Sequence, residues 1–544
     1  MGLPKPTLGA LLLLVTIFAG CKPRPETAAA EYQSLRLSQR NEPADLDPAL
    51  AVLPDEFFVI RALSEGLVLP AMSAETGPLP GIADKWETSA DGLTWTFHLN
   101  PRETWSNGQP LTAQDVLASY RRVLTPATAA PRADLFYPVL HAREFASGQL
   151  RDFSAVGLAA PDPHTLVVRL VRANPYFLNY VASGSWIPVN PGVVARWQRA
   201  WTLPEHYVGN GPYVLAEWVP HRQIVVRRNP RYRSAAAVQL DELRFIRYDD
   251  GNTEERAYRA GDVDVTMAVP ADRIPVYQRE RPAEIHRASL AETRYLAFNT
   301  ARPPLNNPLV RRALTLALDR TSLTDSVLRA GQQPAFRLLP PGLRPAEDAV
   351  SRLGLGQLEH FGPDQIAAAR SALAEAGYPG GKGFPRLEIT GWSPTTPILD
   401  AIQAMWQENL GIHVQILYRE ARVHLAAIRA GNYDIGVIAL IPSVEDPMLA
   451  LEEFTTGQPT NYSHWSDPAY DRLIAAAEAT TSSEQRARGL LEAENRLMDA
   501  APVAPLYYNV KNWLMRPEVR GWQENPLWVR DYPRLWLDRR AKRP

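Results

Sequence analysis

Cysteine is almost missing from this chain: Cys21 stands alone among 544 residues. No disulfide framework and no thiolate metal site can be built from it. Histidine offers little more, with ten scattered residues, His413 and His424 the closest pair, and no HExxH. Charge of either sign is not in excess, the net value being −1, which removes the electrostatic pull toward nucleic acid or an acidic membrane surface. Catalytic signatures are lacking as well. There is no GxSxG nucleophile elbow. Gly380-Gly381-Lys382-Gly383 lacks the first glycine of a phosphate loop and the Ser or Thr after Lys382. Gly209-Asn210-Gly211-Pro212 lacks the third glycine of a dinucleotide fingerprint, and Pro212 removes an N–H such a loop needs. Both read as turns. No cofactor, no metal and no enzymatic activity are expected. Past residue 20 there is no apolar run long enough to cross a membrane.

What is present begins at the N-terminus. Lys5 supplies a positive charge, Leu8 to Phe18 is a short apolar run, and Ala19-Gly20 precede Cys21. A charged start, an apolar stretch and small residues before a cut describe a secretory signal over residues 1–20. The polar, Pro-containing segment 21–30 reads as a tether. The remaining chain exceeds what one hydrophobic core supports, so two or three lobes are expected. With 45% hydrophobic and 22% charged residues, those lobes are globular rather than disordered.

Strand and helix patterns alternate along the body. Leu93 to Leu99 sets Leu, Trp, Phe and Leu against Thr, Thr and His with a period of two, the mark of a half-buried strand, and Asp91-Gly92 is the turn before it. Thr165–Val171 and Ile224–Arg228 are further strands. Asp364 to Ala376 reads as a helix with Asp364 as N-cap and Gly377 closing it. Ala401 to Leu410 is another, followed by a strand at 412–416. Tyr433 to Ile441 is nearly all apolar, as a strand covered on both faces is. This order predicts α/β lobes.

Blocks along the chain then suggest a family. Asn41-Glu42-Pro43-Ala44-Asp45-Leu46-Asp47-Pro48, Glu65-Gly66-Leu67, Pro80 to Glu87 and Asp91 to Leu99 come first. Trp105-Ser106-Asn107-Gly108-Gln109-Pro110-Leu111-Thr112-Ala113-Gln114-Asp115-Val116 is the most characteristic. Asn210-Gly211-Pro212-Tyr213, Arg228 to Tyr232, Leu296 to Asn299, Pro308 to Leu314, Ala374 to Tyr378, Asn409 to Ile412 and Pro505 to Tyr508 follow in order. In this succession the chain resembles the periplasmic oligopeptide- and dipeptide-binding proteins of ABC importers, solute-binding protein family 5. The resemblance implies an α/β, two-lobed type II periplasmic-binding fold with an extra domain and a ligand cleft at a hinge. It divides the chain into a first lobe of 31–72, 186–294 and 509–544, an extra domain of 73–185 and a distal lobe of 295–508. It implies capture of peptides and delivery to the permease subunits of an ABC importer, and a lipobox in which Cys21 carries the lipid. The protein is then an extracytoplasmic monomer whose membrane contact is that lipid alone. A ligand-presenting sensor or chaperone-like lipoprotein, or a binder of a modified peptide or non-peptide solute, fits the same scaffold.

The resemblance also points to site residues, and here the chain departs from the pattern. The family's amine-binding Asp aligns with Ser443, whose hydroxyl cannot supply the charge that a buried ammonium needs. Glu445 or Asp446 can substitute, or can cap the helix that Met448-Leu449-Ala450-Leu451 begins. Leu440 stands where the best-known binder has Trp, and Ile441 follows it. Arg429 lies one position off a carboxylate-binding Arg, and is equally a solvated surface charge. Glu42 lies in the opening turn. Tyr507 lines the cleft floor or packs in the core, and Trp392 and Trp465 wall a pocket or join the local core.

Overall fold

Hydrophobic alternation with a period of two builds the first sheet. In the computed structural model, Ser34–Gln39 pairs in parallel with Glu242–Arg247, which continues antiparallel to Gln223–Arg228 and on to Tyr213–Val219. Leu35, Leu37, Leu243, Phe245, Ile224 and Val226 all point to one face and are buried. The helix Pro54–Leu63 covers that face with Phe58, Val59, Ala62 and Leu63. Trp513, Met515, Val519, Tyr532 and Leu535 return from the end of the chain to the same core. The structure describes residues 1–2, 32–72, 77–343, 361–392, 395–442, 444–480, 482–523, 525–527 and 529–538. Met1–Tyr32 separates from Gln33–Pro544 as a unit of its own, and the fold described here is that of Gln33–Pro544.

A second, antiparallel sheet is inserted in the first lobe, in the order Ala83–Thr88, Thr94–Leu99, Thr165–Arg169, Leu158–Asp162. Phe97 and Leu99 turn inward as their period predicts. The helix Ala113–Leu124 lies over it, started by a reciprocal cap: Thr112 Oγ1 accepts from the Asp115 N–H and Asp115 Oδ2 accepts from the Thr112 N–H. Phe136 stacks on Trp186 with centroids 4.1 Å apart, and Tyr120 meets Trp186 edge-on at 4.9 Å.

A third, six-stranded mixed sheet runs from the first lobe into the distal lobe, ordered Gln333–Pro334, Val503–Leu514, Ile285–Phe298, Ile435–Leu440, Leu387–Trp392, Val414–Arg419. Ile435 and Val437 enter the core on one side, Ile438 and Leu440 the core on the other. The strand is therefore covered on both faces, which is why it lacks polar alternation. Helices Pro308–Leu316, Pro363–Glu375 and Thr396–Leu410 contribute to the first of these cores. The expected cap moves by two residues: Gly362 is the N-cap, and Asp364 falls in the first helical turn, where a carboxylate still suits the helix dipole. The next helix starts at Thr396, five residues before the expected Ala401, and Gly411 ends it at φ 70°.

Two strands hold the lobes together. Ile285–Phe298 pairs with Val503–Leu514 from Ile285↔Leu514 to Ser289↔Val510, and again from Thr293↔Tyr508. Leu290, Ala291 and Glu292 therefore bulge out opposite Asn509, and the Ala291 N–H turns away to the Pro526 carbonyl at 3.1 Å. The turn at 209–212 locks the first helix from the other side. A β-carbon on Gly209 would lie 2.0 Å from the Leu63 carbonyl oxygen, so only glycine allows the approach. Asn210 then clasps the main chain of Glu65, donating to its carbonyl at 3.2 Å and accepting from its N–H at 3.1 Å.

Candidate functional site

The bulge at 290–292 forms the floor of a cleft of about 450 Å³. Its walls are the helix Pro54–Leu63 and the turn 182–185 on one side and Ile441, Pro442, Val444 and Glu445 on the other, with Pro526, Leu527 and Val529 closing one flank. Most of the lining is apolar, including Leu53, Phe57, Phe58, Leu135, Leu290, Pro442 and Leu527. Val52, Leu53 and Ile441 are among the few large apolar side chains left exposed, at 49%, 42% and 52%, and all three face this cleft. A cluster of exposed apolar groups in a concavity marks a binding surface.

Charges are set into this apolar lining at a few points. On the floor, Arg294 pairs with Glu292 at 2.8 Å and lies over the Trp392 ring at 4.9 Å. On the first-lobe wall, Asp55 accepts from the Asn41 side chain at 2.6 Å, and burial raises its pKa. Arg61, in the last turn of its helix, donates to the Ala182 carbonyl at 3.1 Å. On the distal wall, Glu445 has its pKa raised by burial. No cation pairs with it among the described residues, and an acid that has lost water in this way is suited to a positively charged ligand group.

The seam beside the cleft joins the extra domain to the distal lobe. Asn179 Nδ2 donates to the Glu445 carbonyl at 3.2 Å, and the Tyr180 hydroxyl donates to Asp446 Oδ2 at 3.4 Å. Arg486 holds both Asp446 oxygens, at 3.0 and 2.9 Å, and lies over the Tyr176 ring at 4.5 Å. Arg172 pairs with Glu478 at 2.8 Å. Val444 packs into the core of the extra domain.

The residues singled out from the sequence fall in different places. Ile441 and Glu445 line the cleft. Ser443 and Cys21 lie outside the described residues. Asp446 is fully buried, caps Pro447–Glu452 through the Met448 N–H at 2.9 Å and pairs with Arg486. Leu440 is core, opposite Thr293. Tyr507 packs below the floor opposite Arg294, its hydroxyl pKa pushed up to about 12 by burial. Trp465 is core, while Trp392 carries Arg294. Glu42 accepts from Trp218 Nε1 at 3.1 Å and from the His221 N–H at 3.0 Å, and is not brought to the cleft. Arg429 ends its helix, exposed and away from the lining.

Arg61, Glu292, Arg294 and Asn179 were not picked out from the sequence. Two of these carry a readable signal. Arg61 is the lone charge in Phe57-Phe58-Val59-Ile60-Arg61-Ala62-Leu63, and Glu292-Thr293-Arg294 puts two charges on one face of a strand that is otherwise apolar from Leu290 to Phe298. Among the described residues no group of three or more His, Cys, Asp or Glu gathers as a metal site, and no helix is long and apolar enough to cross a membrane.

Comparison with known proteins places this geometry. Residues 77–462 match the model for bacterial extracellular solute-binding proteins, family 5 middle. The chain is 31% identical over 505 residues to the periplasmic murein peptide-binding protein MppA of Escherichia coli, covering 92% of each. It is also 31% identical, over 499 residues and 91% of each, to the probable deoxycholate-binding periplasmic protein YgiS of the same organism. The solved structure of Haemophilus influenzae OppA in complex with RPPGFSPFR superposes with a TM-score of 0.81 at 28% identity, covering 93% of this chain and 99% of that one.

Proposed function

The chain belongs to the family 5 bacterial extracellular solute-binding proteins, and from that premise we propose that it captures peptides between its lobes and delivers them to the permease of an ABC importer. The observation that carries the reading is the cleft itself: an apolar concavity with a desolvated carboxylate on the distal wall and a guanidinium on the first. A peptide presents an ammonium, a carboxylate and side chains of mostly apolar area, and such a cleft meets each of them. Relatives that carry peptide in their names, MppA and the OppA complex, support the same class. Ligand contacts on both walls favour the lobes-together state, which is the form a permease then recognises. The domain limits in this reading are 31–72, 186–294 and 509–544 for the first lobe, 73–185 for the extra domain and 295–508 for the distal lobe. The protein works outside the cytoplasm as a monomer, with Cys21 as lipid anchor. Cys21→Ser should move it from the membrane pellet to the soluble fraction, and a variant that still pellets removes the anchor.

Native mass spectrometry of the protein purified from bacterial cells tests the ligand class. Adducts at peptide masses are expected. Glu445→Gln should weaken peptide binding by about 1.5–3 kcal/mol, the contribution of a charge-assisted hydrogen bond, and unchanged affinity takes Glu445 out of the site. The apolar lining with a cation at one end also suits an apolar carboxylic acid, as the name of YgiS suggests for that relative. A single non-peptide mass would establish that second reading instead.

A further inference from the structure

The first-lobe wall of the cleft carries more positive charge than it neutralises. Arg61 lines the cleft and makes one hydrogen bond, to the Ala182 carbonyl, with no ion pair among the described residues. Glu65, the nearby acid that acts on it, is already paired with Arg233 and accepts from the Tyr232 hydroxyl at 2.6 Å. Behind it Arg530 is 8% exposed, packed 4.0 Å from the Phe58 ring centre and 5.1 Å from that of Trp522, and it too forms no ion pair among the described residues. In the lining itself Arg40 is a further guanidinium beside Arg61, while Arg132 and Arg294, also in it, are paired with Asp134 and Glu292. The acid on this wall, Asp55, accepts from the neutral Asn41 and has Arg40 and Arg530 as its charged neighbours, which leaves Arg61 as the cation it does not answer.

A guanidinium set in an apolar wall has lost hydration that a single carbonyl does not replace. For Arg61 burial pushes the pKa down to about 10, so it stays charged at neutral pH. Its planar fork is shaped for two parallel bonds to a carboxylate. The turn 182–185 and the helix Phe177–Val181 before it connect the two ends of the site: Ala182 holds Arg61, and Asn179 holds the Glu445 main chain.

We propose that Arg61 is the docking point for the ligand's carboxylate, so that a bound peptide lies with its C-terminus on the first-lobe helix and its amino end toward Glu445. This assignment rests on the peptide reading of the cleft. Arg429, the cation expected from the sequence, does not line the cleft, whereas Arg61 does.

Calorimetric titration of the full chain tests it, using short apolar peptides as free acids, the same peptides as C-terminal amides, amides carrying one internal glutamate, and decanoate. Amidation should weaken binding to the unmodified protein by about ten- to a hundredfold, the effect of losing a charge-assisted hydrogen bond. Arg61→Gln should bind acid and amide alike. Arg61→Lys keeps the charge but loses the fork, and should show an intermediate preference, so the proposal stays testable if Arg61→Gln does not fold. Recovery by the internal glutamate would identify a side chain as the carboxylate source. Equal binding of acid and amide by the unmodified protein, or an acid preference that survives in Arg61→Gln, overturns the assignment. Arg61-dependent binding of decanoate with no peptide bound would keep the carboxylate site and remove the peptide reading. Failure of every carboxylate probe to bind would overturn both.

Discussion

Replacing Arg486 with methionine should destabilise the protein by about 3–5 kcal/mol, the penalty for stranding a buried charge. Asp446 is 0% exposed, and Arg486 supplies both of its charged hydrogen bonds. Without Arg486 the Asp446 carboxylate keeps only the Met448 N–H and the Tyr180 hydroxyl at 3.4 Å. Those neutral donors cannot replace a guanidinium in a medium with little water. Asp446→Asn alone should cost less, because the amide oxygen still caps the helix. The double variant Asp446→Asn with Arg486→Met should recover part of the loss, since no unpaired charge is then left inside. Urea midpoints of the four proteins measure this. Additive losses would mean that the pair is not coupled. The same series tests the place of Asp446 in the fold: folded Asp446→Asn should bind ligand as the parent does, and a collapse of affinity would return Asp446 to the binding site.

The second large effect is on pH. Burial pushes the Glu453 pKa up to about 8, with Asp134 and Glu452 adding to the rise and Arg132 opposing it. Arg132 and Asp134 belong to the extra domain, across the seam from Glu453. When the lobes part, Glu453 regains water and titrates near its ordinary value of 4.5. Between those two values the joined form holds a proton that the parted form has released. Joining therefore takes up a proton, and each rise in pH opposes it. Below about 4.5 both forms are protonated and above about 8 both are ionised, so ligand affinity should fall across that window and level off beyond it. The total is on the order of 5 kcal/mol. Glu103, raised to about 7 by burial, has Arg233 and Glu65 as its charged neighbours rather than groups at the seam. Its proton should affect folding stability with the same sign but leave joining unchanged. Dissociation constants measured from pH 5 to 9 on the parent and Glu453→Gln check this. The fall in affinity with rising pH should be lost in the variant, where only the opposite trend from ionisation of Glu445 remains, and a fall of the same size there, or a parent whose affinity does not fall, rules it out.

The blocks that suggested the family turn out to be contacts of the fold. Asn210 clasps Glu65, Thr112 and Asp115 start a helix, and Gly209 lets the 209–212 turn approach Leu63. Backbone packing of this kind tolerates few residue types, so it is legible in sequence. The apolar period of 94–99 and the unbroken run of 435–440 were legible for a related reason: burial dictates hydrophobicity residue by residue. The cleft was not legible in the same way. Its floor comes from a register shift between strands more than 200 residues apart, as in Ser289↔Val510, and no local pattern encodes that offset. Asp446 shows the limit from the other side. An acidic residue before a Pro-initiated helix suits a cap and a ligand contact equally well in sequence, and what separates them is Arg486, forty positions away.

The two strands that cross between the lobes also make the distal lobe portable. Arg294 sits opposite Tyr507, so the chain leaves for that lobe and comes back at neighbouring points of one ladder. Everything between is a single uninterrupted stretch, closed at its base by main-chain pairing that does not depend on side-chain identity. Recombination with breakpoints at that base would exchange one distal lobe for another in a single event, leaving the first-lobe wall of the cleft as it was. One half of the cleft would then change while the other half kept its sequence.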